Sequence, residues 1–437
     1  MTTTLIRGRL LSFKRAPLSL TDTDSYAYEH DGGLLIEDGV IAAIGNYAKV
    51  KAEAPESVEE IDHRPHLILP GLIDTHMHFP QMQVIASYAG SLLEWLNTYT
   101  FHEECRFVES DHAARIATHF YDELVRHGTT TAAAYCSVHK ASADAYFAEA
   151  TRRGMCMIGG KVMMDRNAPQ GLLDTPQMAY DETRAVIAEW HGKGRNHVAI
   201  TPRFAITSTP GQMQAAQTLA KEFPDLHIQT HLSENHDEIR YTCELYPEAK
   251  DYTDIYARYG LLGKKTLLGH AIHLSDRETD LLSETASVAI HCPTSNLFLG
   301  SGLFPLKALT RREKPVRIGV ATDIGGGTSY SMLRTLDEAY KIQQMLGERM
   351  NPLETFFLMT RGNAEALSLS DRIGTLEVGT DADLVVLNAA STPAMTLRME
   401  TITTLPEELF LLQTMGDDRA VAETYVAGKA MKQRLDG

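Results

Sequence analysis

His76 and His78 are the first residues of this sequence that could do chemistry. They lie in Pro70-Gly71-Leu72-Ile73-Asp74-Thr75-His76-Met77-His78-Phe79-Pro80-Gln81. Pro70-Gly71 punctuates the end of the apolar run Leu67-Ile68-Leu69, and Leu72-Ile73 reads as a short buried strand. Side chains alternate along a strand, so the two imidazoles face one side and can grip one metal ion. The same spacing also fits two histidines hydrogen-bonded at a strand end. Further candidates follow in order: His231, Glu234 three residues later, His270 and Asp323. Each has an ordinary reading. Ser233 could cap a helix with Glu234 as its first-turn acid, His270 could be a satisfied strand-end histidine, and Asp323 could serve a helix entry. As a set they suit different chemistry. Three neutral histidines and one carboxylate fit Zn²⁺ or Fe²⁺ with one position open for water. Such a metal lowers the pKa of its water to about 7. A nearby carboxylate can then take a proton and return it to the substrate. That is metal-assisted hydrolysis. No cysteines sit at ligand spacing, so a purely structural zinc site is not expected.

Elements that could position this set recur along the chain. From Pro70 to about Leu369, short apolar runs alternate with helical patterns. The runs begin at Leu72, Thr129, Met155, Val198, His227, Thr266, Ser287 and Arg317. Asp111 to Val125 and Met213 to Glu222 are among the helical stretches between them. Eight strand–helix alternations predict an α/β fold, a parallel (β/α)₈ TIM-like barrel over residues 70–369. Chemistry in such barrels sits at the C-terminal ends of strands. His76, His78, Arg203, His231, His270 and Asp323 all fall at predicted strand ends.

The two chain ends read as β-rich. Leu34-Leu35-Ile36 and Val40 to Ile44 flank Glu37-Asp38-Gly39, a hairpin signal. Thr21 to Gly33 reads as a polar loop. In the tail, Gly374 to Glu377, Asp383 to Leu387 and Val421 to Val426 read as strands. Residues 1–69 and 370–437 are therefore expected to fold together as a small β-sandwich domain.

Composition bounds the rest. The 437 residues are 43% apolar and 22% charged, enough to bury a large core. The net charge of −16 argues against an electrostatic grip on nucleic acid or anionic lipid, though not against a neutral base as substrate. No apolar run approaches ~18 residues, so no membrane span is expected. The start lacks the pattern of a signal peptide. Five scattered cysteines suggest a reduced, cytoplasmic protein with free thiols.

The ordered motifs Pro70 to His78, His231-Leu232-Ser233-Glu234, Leu268-Gly269-His270 and Ala321-Thr322-Asp323 resemble the amidohydrolase superfamily, in its mononuclear deaminase branch. The flanking segments match too, including Gly374 to Val385, so the resemblance spans nearly the whole chain. Within that branch the chain is similar to the guanine deaminases. Gln81, the stretch Leu92 to Phe101, Thr201-Pro202-Arg203-Phe204-Ala205 and Ser329 to Leu333 carry this finer likeness. Guanine presents O6 and N7 acceptors, and Arg and Gln are donors to such edges. Phe204 could stack on the purine.

The resemblance implies one zinc per chain, with ferrous iron as the alternative, held by His76, His78, His231 and Asp323. It implies that Asp323 helps deprotonate the water, Glu234 shuttles a proton to the ring nitrogen and His270 steadies the attacking oxygen. Gln81, Arg203, Phe204 and His231 would contact guanine, and xanthine and ammonia would form. A cytoplasmic homodimer is implied as well. Lys161, mid-run in its strand, is not expected to bridge a second metal. His291-Cys292-Pro293 lacks the paired cysteines of the other zinc deaminase class. The nearest rival is a related deaminase or chlorohydrolase acting on adenosine, cytosine, 8-oxoguanine or a chlorinated triazine. A non-catalytic barrel scaffold is a second rival, and the complete ligand set argues against it.

Overall fold

The computed structural model describes residues 3–88, 90–432 and 435. The head supplies β1 (Thr3–Phe13), β2 (Tyr26–Glu37), β3 (Val40–Asn46) and β4 (Glu59–Pro70). The barrel strands follow: β5 (Leu72–His78), β6 (Thr129–Tyr135), β7 (Cys156–Gly160), β8 (Val162–Met163), β9 (Asn196–Pro202), β10 (His227–Leu232), β11 (Thr266–His270), β12 (Val288–His291) and β13 (Arg317–Val320). The tail adds β14 (Leu384–Leu387), β15 (Val421–Val426) and β16 (Lys429–Ala430).

Head and tail meet in one mixed sheet of order β16-β15-β14-β4-β1-β2-β3. The hairpin at Asp38-Gly39 forms as expected, joining β2 to β3 antiparallel. Two expectations fail here. Residues 26–33 are not loop but the first part of β2, which pairs past a bulge with Leu10 to Phe13 of β1. Their alternation is hidden by polar residues, yet Tyr26 packs edge-on against Phe13. Gly374 to Glu377 is not a strand, because the Leu376 N–H turns to the Ser12 hydroxyl instead of a ladder partner. The tail also carries two helices, Pro393–Met399 and Leu405–Met415, that the strand reading missed.

The second sheet is the parallel barrel, in the order β13-β12-β11-β10-β9-β7-β6-β5, with β8 beside β9. Its interior is filled by Ile73, Ala133, Ile158, Ala199, Leu267 and Ile290, the small and branched residues such a core needs. Outer helices turn apolar stripes inward. In Ser110–Arg126 the buried positions are Ala113, Ile116, Ala117, Phe120, Tyr121, Leu124 and Val125, the spacing of one helical face. Side chains close the seam between β13 and β5. The Asn363 amide donates to the carbonyls of Ile73 (2.6 Å) and Val320 (2.8 Å) and accepts from the Val320 N–H. Arg195 locks barrel to terminal sheet with paired bonds to Asp383 at 2.7 and 2.9 Å.

Candidate active site

Strand ends deliver the candidate residues to one buried cluster. His76 and His78 lie on β5, with ring centroids 5.1 Å apart. His231 comes from β10 and its Nε2 lies 3.2 Å from His78 Nε2. β13 ends at Val320 rather than continuing to Asp323. The next residues are held against β5 instead: Thr322 bonds the Asp74 carboxylate, and the Asp323 N–H donates to the His76 carbonyl at 3.0 Å. This aims Asp323 Oδ1 at His76 Nε2 (3.3 Å) and His78 Nε2 (3.4 Å). His270, at the end of β11, sits 3.3 Å from Glu234 and 3.6 Å from Asp323. Both His270 (φ 68°) and Asp323 (φ 54°) adopt left-handed backbone, as does Ser233 (φ 47°). Sparsely populated backbone of this kind concentrates at functional sites.

The cluster has the chemistry of a cation site. The Nδ1–H of His231 points to the Arg203 carbonyl at 2.7 Å, so its Nε2 is left with a lone pair facing His78. His76 Nε2 is buried without a hydrogen-bond partner among the described residues. Burial, reinforced by the neighbouring imidazoles, holds His78 and His231 far below the usual histidine range. Burial works to raise Asp323, but the close His76 ring, with His270 and His231, brings it down to about 2. Neutral imidazoles and an ionised carboxylate, converging without donors to satisfy them, fit a divalent ion.

Glu234 and His270 are biased differently. Burial raises Glu234, which suits a carboxyl that carries a proton. Burial lowers His270, but the charges of Glu234 and Asp323 outweigh it and leave it raised. Asn296 faces His270 Nδ1 at 2.9 Å, and the Ser301 hydroxyl donates to Glu234 at 2.8 Å. Neither partner was singled out from the sequence.

A small cavity opens above the cluster, bounded by His78, His231, Glu234, His270 and Asp323. Gln81, Arg203 and Phe204 form one wall, as the motifs suggested, and Leu92, Trp95 and Leu96 of the quoted segment form another. The Ser329 to Leu333 stretch plays a different part: Ser331 caps the helix Met332–Met345 and Tyr330 packs near His127. The main omission is Glu104. Its buried carboxylate accepts from Gln81 Nε2 (2.8 Å) and Arg203 Nη1 (2.6 Å). It lies just past the quoted segment Leu92 to Phe101, and no motif read from the sequence includes it.

Two residues were set aside from the sequence, and one of them lands elsewhere than expected. Lys161 is not mid-strand but lies in the break between β7 and β8, where its ammonium bonds Asp174 at 2.7 Å. That ion pair turns it away from the cluster. Cys292 follows β12, and its sulfur lies within 4.8 Å of ligand atoms of His76, His270 and Asp323. Burial pushes its thiol far up, so it stays protonated. All five cysteines are free. Among the described residues no helix is long and apolar enough to cross a membrane.

Comparison with known proteins agrees with this geometry. Residues 67–431 match the amidohydrolase family. Guanine deaminase of Escherichia coli is 46% identical over 404 residues, covering 92% of each chain. Its solved structure superposes with a TM-score of 0.94 over 99% of both chains, at 42% identity. Guanine deaminase from Bradyrhizobium japonicum gives a TM-score of 0.96 at 35% identity, over 99% of both chains. The C. acetobutylicum guanine deaminase, solved with guanine in its active site, gives 0.85 at 28% identity, covering 98% of this chain and all of that one.

Proposed function

The chain belongs to the amidohydrolase family, and from that premise we propose that it deaminates guanine hydrolytically to xanthine and ammonia. One cavity brings together a buried histidine–carboxylate cluster and a wall of paired donors, Gln81 and Arg203. That juxtaposition carries the reading, because it combines a hydrolytic centre with recognition of an oxopurine edge.

His76, His78, His231 and Asp323 would hold one divalent ion, with zinc proposed and ferrous iron accepted by the same donors. When bound, the ion supplies the acidity that ionises water near neutral pH. Asp323 accepts the proton as the water oxygen bonds to C2 of guanine. Glu234 delivers its proton to the adjoining ring nitrogen; as the C2–N bond breaks it takes the hydroxyl proton of the intermediate and passes it to the departing amine, and the proton on Asp323 then returns to Glu234. His270 donates a hydrogen bond to the attacking oxygen, held in place by Asn296. Gln81 and Arg203 hold the purine's acceptor edge, while Phe204 and His231 bound its faces. The resemblance supports a homodimer and, with the free thiols, a cytoplasmic protein, with residues 1–69 and 370–437 as one folding unit beside the barrel.

The test follows the ultraviolet absorbance of guanine with metal-analysed protein and assays xanthine and ammonia. Conversion is expected. A metal-loaded protein that leaves guanine intact but turns over adenosine, cytosine, 8-oxoguanine or a chlorinated triazine would reassign the substrate.

A further inference from the structure

The structure assigns Glu104 a role of its own: we propose that it is a positioning residue that sets which purine edge the cavity accepts. This rests on the cavity being the purine site proposed above.

Glu104 lies in the short helix Phe101–Cys105 and is 1% exposed. One carboxylate oxygen takes the Gln81 amide N–H, the other takes Arg203 Nη1. Gln81 is also fixed from the other side, because its Oε1 accepts the Gly325 N–H at 3.2 Å. A side chain at 325 would meet the Gln81 carbonyl at 2.6 Å, so this approach requires glycine. The two bonds leave the amide one orientation. Turned over, it would set its oxygen against the Glu104 carboxylate and its NH₂ against the Gly325 N–H.

The consequence is chemical. With the amide locked, Gln81 has its second Nε2–H left to offer, and Arg203 keeps further N–H donors beside it. Both wall residues then donate. A purine with a 6-oxo group presents an acceptor to that wall, whereas a 6-amino purine presents N–H against N–H. Glu104 also neutralises Arg203 within the wall, so the wall favours neutral bases over anions. A site built to hydrogen-bond one group rejects the analogue lacking it strongly.

Glu104→Gln keeps shape and volume but offers one acceptor where two donors need them. Gln81 is then free to turn its oxygen into the cavity. The experiment reads equilibrium binding of hypoxanthine and of adenine by quenching of Trp95, which lines the cavity. The wild type should prefer hypoxanthine by about 100-fold or more. In Glu104→Gln, with melting temperature and metal content unchanged, the preference should fall at least about tenfold. Glu104→Asp keeps the charge but withdraws it by one methylene, and should lower the preference too; it serves if the Gln variant does not fold. A folded variant that keeps the wild-type preference overturns the proposal. Because binding is read without turnover, a protein that shows this pattern yet leaves guanine intact would discard the deaminase reading and keep the role of Glu104.

Discussion

The Ser301 hydroxyl donates to Glu234 Oε1 at 2.8 Å, which leaves Oε2 of the same carboxylate 3.3 Å from His270 Nε2. Glu234 is thus held in one rotamer, with one oxygen anchored and the other facing the reaction space. Burial raises its proton affinity. Glu234→Gln should therefore lower kcat for guanine by about 10²–10⁴-fold while base binding changes little. Ser301→Ala frees the carboxylate to rotate and should cost about tenfold, roughly 1.4 kcal/mol. Steady-state hydrolysis at matched metal content checks both, and a Glu234→Gln protein with wild-type kcat would remove the proton-carrier role.

Removing the metal should remove activity and stability together. Three buried imidazoles and Asp323 face one another without donors, and a divalent ion satisfies all of them at once. Chelation should abolish turnover, and Zn²⁺ at about 100 times its dissociation constant should restore roughly 2.7 kcal/mol of stability. His78→Asn should bind far less metal by elemental analysis. Asn296→Ala, which removes the side-chain partner of His270 Nδ1, should leave metal content near one per chain and lower kcat.

Asn363 is one of the side chains that close the barrel seam, beside Thr75 and Asp74. Asn363 bonds both Ile73 and Val320, so Asn363→Ala takes this donor from the Ile73 carbonyl and the acceptor from the Val320 N–H, while the Val320 carbonyl keeps the Thr75 hydroxyl at 3.1 Å. The expected loss is about 2–4 kcal/mol, or a melting temperature lower by roughly 2–4 °C. A shift under one degree in a calorimetric scan would mean that the remaining bonds across the seam, from Thr75, Thr322 and Asp323, close the barrel without it.

Acid should destabilise the fold between pH 6.5 and 4. Burial lowers both His227 and His197 to about 4, and His227 donates to the Leu367 carbonyl. Their folded pKa values lie below the unfolded value of 6.5, so the unfolded chain binds more protons as pH falls. The stability they permit is complete above pH 6.5 and is lost progressively until about pH 4. For buried His227 alone the loss is about 3 kcal/mol. His227→Gln can still bond Leu367 but cannot titrate, so its melting temperature should fall less steeply over this interval.

Strand ends were legible in the sequence because their evidence is local. Alternation puts His76 and His78 on one face, and apolar runs lead into His231 and His270. The supporting residues were not legible. Asn363 meets Ile73 across 290 positions, and Glu104 meets Arg203 across 99. No short-range pattern encodes such a contact. Lys161 was misplaced for a different reason: the run from Met155 to Met164 reads as one strand, and the Gly159-Gly160 pair just before Lys161 is where β7 ends. Tyr26 to Gly33 shows the same limit, since a strand that alternates polar with aromatic residues looks like a loop until β1 lies beside it.

The terminal sheet sets an order on synthesis. β4 ends at Pro70, one residue before the strand that carries His76 and His78, yet its neighbour β14 begins only at Leu384. Arg9 and Glu408, bonded across the same region, lie 399 positions apart. At about 5–20 residues per second, the Leu67-Ile68-Leu69 edge of a nascent chain stays uncovered for roughly 15–60 s. An apolar strand edge in that state is a template for pairing with other chains. During that interval the first two histidines have already left the ribosome and wait for Asp323, so crowded polysomes and a shortage of chaperones should limit the yield of this protein more than the stability of its finished fold.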